Sequence, residues 1–255
     1  MTDTSTIATR FAESDFRVGG VLSRAMSVLS RHFPLFFAIA FVANLPMILM
    51  TTGAATATTT TDPGQAIGYL ALIFFGFALY FVLNILSQAV IVHAAFQAMR
   101  GRPASLAGSL GVGLARFLPL IVLALIAGIL FLLATLLLIV PGLILITMWF
   151  VGTQVCVVER LGPWTSLKRS AQLTKGHRWK IFGLMLLLII ASVIGSTLIE
   201  LVLSPFGSFI LTAGASLIWN AIWGAYYAVA VVVAYHDLRV AKEGIDIEQI
   251  ASVFD

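Results

Sequence analysis

The sequence predicts an all-helical, polytopic membrane protein with six transmembrane helices arranged as three hairpins, each preceded by a short cytoplasmic interfacial helix. Hydrophobic residues make up 60% of the 255 residues and charged residues only 10%, whereas a soluble domain has roughly half and about a quarter. The chain contains six apolar runs long enough to cross a bilayer as helices. All 15 lysines and arginines fall on one side of the topology that these runs define.

The boundaries of the spans follow from the ~20 helical residues that are needed to cross about 30 Å of hydrocarbon. The predicted spans are residues 33–51, 67–91, 117–140, 142–158, 181–203 and 209–235. Only Pro141-Gly142 separates the third span from the fourth, so one long kinked span is the alternative. We favour a hairpin, because about 42 residues of helix would be ~60 Å long, twice the hydrocarbon thickness.

These spans leave no room for a second domain, so we expect residues 1–255 to form a single integral membrane domain. Within it, residues 1–32 would be a cytoplasmic segment with a surface helix, residues 33–235 the bundle and residues 236–255 a cytoplasmic tail. The polar leader is too long for a cleaved signal peptide. Cys156 is the only cysteine, which excludes an internal disulfide.

The distribution of cations sets the expected orientation. Lysines and arginines lie before the first span, between the second and third, between the fourth and fifth, and after the sixth, whereas the intervening loops have none. Because loops rich in Lys and Arg stay in the cytoplasm, we expect both termini to be cytoplasmic. A kink at Pro141-Gly142 would divide the cations between the two sides, so the distribution also favours the hairpin.

Three similar segments precede the first, third and fifth spans. They read VLSRAMSVLSRHFPLFFAIAF from Val21, SLAGSLGVGLARFLPLIVLAL from Ser105 and TSLKRSAQLTKGHRWKIFGLM from Thr165. Each is a moderately amphipathic run that ends in basic residues and then enters a span. We interpret the repeated unit as a surface helix followed by a two-span hairpin, with the second, Gly-rich copy the weakest.

Surface helices of this kind suit the headgroup layer, because their cations can face lipid phosphate while apolar side chains face the acyl chains. The candidate contacts to anionic phospholipid headgroups are Arg31, Arg116, Trp164, Lys168, Arg169, Lys175, Arg178 and Lys180. The alternative is that these residues only anchor the spans. Nucleic acid binding is not expected despite an isoelectric point of about 9.5, since the basic residues lie directly against the membrane.

A family resemblance is carried by PGLILITMWFVGTQVCVVERLGPWTSLKRSAQLTKGHRWKIFGLMLL and the later AYHDLRVAKEGIDIEQIASVFD. Its marks are Pro141-Gly142, Glu159, the helix over residues 166–175 and the Tyr235-His236-Asp237-Leu238-Arg239 motif. Together they resemble bacterial YciC-like proteins and the membrane domain fused to some glycerophosphoryl diester phosphodiesterases. The activity of the fused relatives lies in a soluble barrel that this sequence lacks, so no catalytic residue or metal is carried over. The resemblance implies a protein of the bacterial inner membrane that is connected with membrane lipids.

The remaining functional classes are an enzyme and a transporter. The four histidines show no spacing typical of a metal site or of a catalytic triad, so we expect no catalysis, cofactor or metal. Transport is the alternative, because polar residues inside spans often mark a pathway, and the candidates are Asn84, Gln88, Gln154, Glu200 and Asn220. Their amides could equally pair between helices. We therefore expect a non-catalytic membrane scaffold or lipid-organising protein, with a transporter of a lipid or small amphipathic solute as the alternative.

The C-terminal tail shows a separate helical pattern. Ile247, Ile250, Ala251 and Phe254 share one face, and Asp246 with Gln249 would form a capping box. The pattern predicts a helix over residues 247–254. A helix this short is marginal alone in water, so its apolar face would be covered either by the underside of the bundle or by a partner protein.

Overall fold

The computed structural model describes residues 16–57, 61–101 and 105–243, and these ranges are almost entirely helical and contain no strand. Six helices within them are long and apolar enough to cross a membrane, namely Phe33–Ala57, Gly64–Met99, Leu106–Leu137, Ile139–Val158, Arg178–Phe206 and Phe209–Glu243. The prediction of an all-helical, multi-pass membrane protein is therefore confirmed. The predicted tail helix over residues 247–254 lies outside the described residues.

The described chain forms ten α-helices and one 3₁₀ turn. These are α1 (Val18–Arg31), α2 (Phe33–Asn44), α3 (Met47–Ala57), α4 (Pro63–Met99), α5 (Leu106–Leu137), α6 (Ile139–Met148), α7 (Gly152–Val158), α8 (Pro163–Thr174), α9 (Arg178–Leu203), the turn Ser204–Phe206 and α10 (Phe209–Glu243). Two candidate spans are interrupted. The first is divided at Leu45-Pro46, where proline lacks the N–H that a continuous helix needs, and the fourth is divided between α6 and α7.

Helix α10 forms the core of the bundle. Every residue from 228 to 238 is buried, and α10 packs against α1, α2, α4 and α9. This stretch reads AVAVVVAYHDL, and its small side chains allow the neighbouring backbones to approach closely. The outer helices instead expose large apolar side chains such as Phe74 and Leu136, as expected of surfaces that face lipid.

The turn between the third and fourth spans lies at Leu138, three residues before the predicted position at Pro141-Gly142. Leu138 is extended (φ −160°, ψ 141°) and α6 begins at the next residue. Proline is tolerated in the first turn of a helix, because the N–H that it lacks has no intrahelical partner there. A Cβ added to Gly142 would lie 2.2 Å from the hydroxyl of Thr135. Residues seven apart in a straight helix are ~10 Å apart, so the chain bends sharply at Leu138.

The three repeated segments do not all contain a separate helix. The first and third do: α1 ends at Arg31, and α8 ends at Thr174 shortly before Gly176, which adopts a left-handed conformation (φ 91°). The second segment is part of α5, which is continuous through Pro119. The prediction placed a separate surface helix before the first, third and fifth spans. It is wrong for the copy before the third span. Ser105 caps the whole of α5 by accepting a hydrogen bond from the N–H of Gly108 (3.2 Å), and no break follows it.

Helix α8 packs against the interruption in the fourth span. At the interruption, the N–H of Gly152 bonds the carbonyl of Trp149 (2.9 Å) instead of the carbonyl of Met148. The Met148 carbonyl accepts hydrogen bonds from Ser170 Oγ (2.8 Å) and Thr174 Oγ1 (3.3 Å) of α8. Serine and threonine side chains satisfy freed backbone groups in this way where a membrane helix is broken.

Candidate functional site

Polar side chains from four helices meet around a cavity between these helices, which we call the central cavity. It has a volume of about 450 Å³ and lies between α2, α4, α9 and α10. Its polar lining consists of Asn44, Tyr80, Asn84, Gln88, Ser192, Asn220 and Tyr227. Three of the predicted intramembrane polar residues are thus brought together from two spans: Asn84 and Gln88 from α4, and Asn220 from α10.

A second polar cavity adjoins the central cavity at Asn220. This cavity, the Glu200 cavity, has a volume of about 390 Å³, and its polar lining consists of Thr51, Ser196, Glu200, Thr212, Ser216 and Asn220. Asn220 lines both cavities, and Ser192 and Ser196 lie one helical turn apart on α9, one in each cavity. We call the two cavities together the polar crevice. It extends from Glu200, near the end of α9, to Gln88 in the interior of α4.

The polar groups of the crevice are only partly satisfied by the protein. Asn44 and Asn220 each donate to a backbone carbonyl one turn earlier in their own helix, at 2.7 Å in both cases. Asn84 and Gln88 make no side-chain hydrogen bond to any described residue, although both are half-buried. The amide atoms of both residues are not fully buried, so they are accessible from the cavity. A polar group without a partner is costly inside a membrane, and water or a ligand in the cavity can supply that partner.

A tryptophan pair lies beside the crevice, and one of its two rings lines the central cavity. The rings of Trp219 and Trp223 are stacked, with centroids 5.6 Å apart, and Trp223 lines the central cavity. Gly195 on α9 makes room for this pair, because a Cβ at that position would lie 1.9 Å from the Trp219 ring. The position of the Trp pair therefore depends on the absence of a side chain at residue 195.

The fourth predicted amide lies elsewhere. Gln154 is 3% exposed on α7, its Oε1 has no hydrogen-bond partner, and it lines neither cavity of the crevice. Glu200 is exposed and makes no ion pair with a described residue. The crevice thus contains four of the five predicted intramembrane polar residues. Sequence reasoning missed Asn44, although an asparagine inside an apolar run is the same signal that identified Asn84.

Cations from distant segments meet at the C-terminal end of α10, away from the Glu200 cavity. We call this end the basic end of the bundle. The most connected group is an ion-pair cluster formed by Glu159, Arg169, Tyr235, Arg239 and Glu243. Glu159 accepts from Arg169 Nε (3.1 Å) and from the hydroxyl of Tyr235 (2.9 Å). Glu243 accepts from both Arg169 and Arg239. The cluster therefore joins the end of the fourth span and α8 to α10.

The charge of Arg169 is well compensated in this cluster. Burial alone would lower the pKa of Arg169, but the carboxylates of Glu243 and Glu159 raise it above its ordinary value. A second pair, Arg24 with Asp237, joins α1 to α10. Glu159 and Asp237 belong to the motifs that carry the family resemblance in the sequence. In the structure, both side chains bind arginines.

The predicted headgroup contacts differ in their surroundings. Lys168, Lys175, Lys180 and Arg31 are exposed, and the Lys168 ammonium lies 5.8 Å from the Trp164 ring centroid. Trp164 is 52% exposed, while α8 buries Leu167, Ser170 and Thr174. Arg169 binds the acids of the ion-pair cluster. The remaining two are half-buried: Arg116 donates to the carbonyl of Arg160 (3.4 Å), and Arg178 has a buried Nε without a hydrogen-bond partner.

The described residues contain no group of three or more His, Cys, Asp or Glu side chains that could hold a metal ion. Comparison with known proteins gives one match, to a family model described as a domain of unknown function (DUF7847), over residues 67–238. No curated protein and no solved structure matches the chain. No activity is assigned to this family, and the match does not itself link the chain to YciC-like proteins or to phosphodiesterase membrane domains. The match covers the polar crevice except its α2 and α3 walls and about two thirds of the sequence, so the chain belongs to the DUF7847 family.

Proposed function

We propose that this protein is a non-catalytic membrane protein that binds the polar part of a lipid, or of another amphipathic molecule, in the polar crevice. The observation that carries this proposal is the meeting of Asn84, Gln88 and Asn220 around a cavity in which Asn84 and Gln88 have no protein partner. If these amides only joined helices, they would bond to each other or to a neighbouring backbone. Amides that are left unpaired inside spans instead favour a ligand or water in the cavity.

An amphipathic ligand fits the mixed lining of the crevice. Its hydroxyl and amide groups line the central cavity together with apolar side chains such as Leu188, Ile189 and Trp223. Binding sites usually combine an apolar wall with a few polar groups that fix orientation. The resemblance to YciC-like proteins, which implies a connection with membrane lipids, supports the same ligand class.

The proposal includes a topology for the bacterial inner membrane. The six spans form three hairpins with both termini and the basic end in the cytoplasm, and α1 and α8 lie at that surface. The exposed cations Arg31, Lys168, Lys175 and Lys180 would contact anionic phospholipid headgroups. The gathering of arginines at the basic end supports this orientation, because cation-rich ends stay in the cytoplasm.

Cysteine labelling tests the topology. In a Cys156→Ser background, Gln172→Cys is expected to react only with a membrane-permeant reagent in intact cells, whereas Thr61→Cys and Ser208→Cys are expected to react with an impermeant one. All three positions are exposed, so each can react wherever it lies. Labelling of Gln172→Cys from outside would contradict the hairpin at Leu138.

A transporter of a lipid or small amphipathic solute is the second candidate function. Polar side chains continue through the crevice from Glu200 to Gln88, and this continuity favours a pathway that enters from the Glu200 end. A scaffold without a bound ligand would need no such polar lining.

Lipid mass spectrometry on protein purified in native nanodiscs tests lipid binding. We expect one lipid class to be enriched over the bulk membrane. Asn84→Leu combined with Gln88→Leu is expected to reduce that enrichment about thirtyfold, since the two lost hydrogen bonds contribute about 1 kcal/mol each. Gln154→Leu is the matched control, because it removes an amide that lies outside the crevice.

The same variants separate the candidate functions. Loss of enrichment without loss of thermal stability supports a binding site. If the double variant also loses flux of the enriched lipid in reconstituted vesicles, the result supports transport in addition to binding. Equal enrichment in the wild type and in the double variant would contradict the proposed site.

A further inference from the structure

A second lipid site is indicated at the basic end, between α1, α4 and α10, by a cavity that the proposed function does not use. The cavity has a volume of about 250 Å³, and Arg24, Arg31, His32 and His236 contribute its charged and titratable lining. We propose that it binds the phosphate of an anionic glycerophospholipid whose acyl chain lies in the apolar groove between α2 and α4. This inference rests on the proposed lipid-handling function and adds a separate site to it.

A buried histidine without a complete set of partners supports a ligand in this cavity. His236 is 8% exposed. Its Nδ1 lies 3.4 Å from Asp237 Oδ1, while its Nε2 is buried without a hydrogen-bond partner. When Nδ1 donates to Asp237 and the ring is protonated, Nε2 carries a second N–H that can donate to an anionic oxygen.

The charges around His236 favour an anion. Asp237 is already paired with Arg24, so its negative charge is compensated. Arg31 lines the same cavity, is exposed, and has no ion-pair or hydrogen-bond partner among the described residues. The cavity therefore carries a net positive charge even when both histidines are neutral. A guanidinium with free N–H groups matches the oxygens of a phosphate.

The apolar groove begins one helical turn beyond Arg31 and makes a lipid a better occupant than free phosphate. It has a volume of about 270 Å³, and Leu35, Ile39 and Val42 of α2 face Leu83, Leu86 and Val90 of α4 across it. The phosphate cavity is lined by Arg31 and His32, which directly precede α2 in the chain, and by the last turn of α4. The walls of the groove and of the phosphate cavity are therefore neighbours along the chain. A headgroup cavity followed by an apolar groove matches a phospholipid, with its phosphate at the basic end and its chain toward the interior.

Titration of the full-length protein in detergent with dioctanoyl phosphatidylglycerol tests this site. We expect saturable binding by native mass spectrometry, and an increase in Kd of about tenfold or more for Arg31→Gln, since a hydrogen bond to a charged group contributes about 1.5–3 kcal/mol. His236→Gln is expected to weaken binding in the same direction. Lys242→Gln, which removes an exposed cation outside the cavity, is expected to bind as the wild type does.

Two further measurements distinguish a lipid headgroup from free inorganic phosphate as the occupant. Ala38→Trp places a large side chain in the groove and is expected to weaken phosphatidylglycerol binding, and inorganic phosphate is expected not to displace the lipid. Displacement by inorganic phosphate, together with undisturbed binding by Ala38→Trp, would overturn the lipid assignment. Wild-type affinity in Arg31→Gln, or an equal loss in Lys242→Gln, would overturn the site itself. None of these variants changes Asn84 or Gln88. A negative result at this site therefore does not contradict ligand binding in the polar crevice, which is tested separately.

Discussion

Glu159→Gln is expected to lower the free energy of unfolding by about 3 kcal/mol. The substitution removes one of the two carboxylates of the ion-pair cluster and leaves Arg169 and Arg239 to share Glu243. Removing one partner of a buried pair costs ~3–5 kcal/mol because an uncompensated charge remains. The side chains of Arg169, Glu159 and Arg239 are 26%, 15% and 12% exposed, so we expect a value at the lower end. Unfolding in mixed micelles measures the change.

The control for this prediction is Glu200→Gln, which removes an exposed acid that has no ion-pair partner among the described residues. It is expected to leave stability unchanged. The double variant Glu159→Gln with Arg169→Gln is expected to lose less than the sum of the two single variants, because the two side chains act on each other. Additive losses, or no loss in Glu159→Gln, would contradict a structural role for the cluster.

Gly195→Ala is expected to destabilise the protein by about 3 kcal/mol and to displace the pair of Trp219 and Trp223 that lies beside the crevice. The added Cβ would overlap the Trp219 ring, and a ring stacked on Trp223 cannot move alone. Overpacking typically costs about 1–3 kcal/mol, and the overlap here is with a rigid ring rather than with the end of a flexible chain. Thermal unfolding and tryptophan fluorescence measure the two effects.

Gly183→Ala is the matched control on the same helix. A Cβ at residue 183 meets no atom within 4 Å, so the substitution is expected to be neutral or slightly stabilising, given the better helix propensity of alanine. An equal loss of stability in both variants would show that an added methyl group destabilises α9 whether or not it contacts Trp219. In that case the seating of Trp219 would not be the cause.

The spans could be predicted from the sequence because a bilayer imposes one strong requirement, an apolar helix of sufficient length. Their interruptions could not. The break in the fourth span depends on Ser170 and Thr174, which satisfy the Met148 carbonyl from a distant helix. Similarly, Pro141 looked like a turn, but proline fits the first turn of α6, and the actual turn at Leu138 has no sequence signal.

The candidate site was predictable only as a set of residues. Polar side chains inside apolar runs identified Asn84, Gln88 and Asn220, but their meeting depends on the packing of α10 against α4. The role of Arg169 was hidden for the same reason. Its partner Glu243 is 74 residues away, and a cation before a span looks the same whether it binds lipid or an acid.

Photocrosslinking from Asn220 is the most direct test of the central claim that the polar crevice holds an amphipathic ligand. Asn220 lines both cavities, so a diazirine-bearing amino acid at this position would react with the occupant. Ile194, which is 54% exposed on α9, provides the comparison, because a diazirine there samples the surrounding bilayer. We predict covalent lipid adducts from residue 220 that are enriched in one class relative to the adducts from residue 194. Adducts of the same composition at both positions, or no lipid adduct at residue 220, would contradict the account.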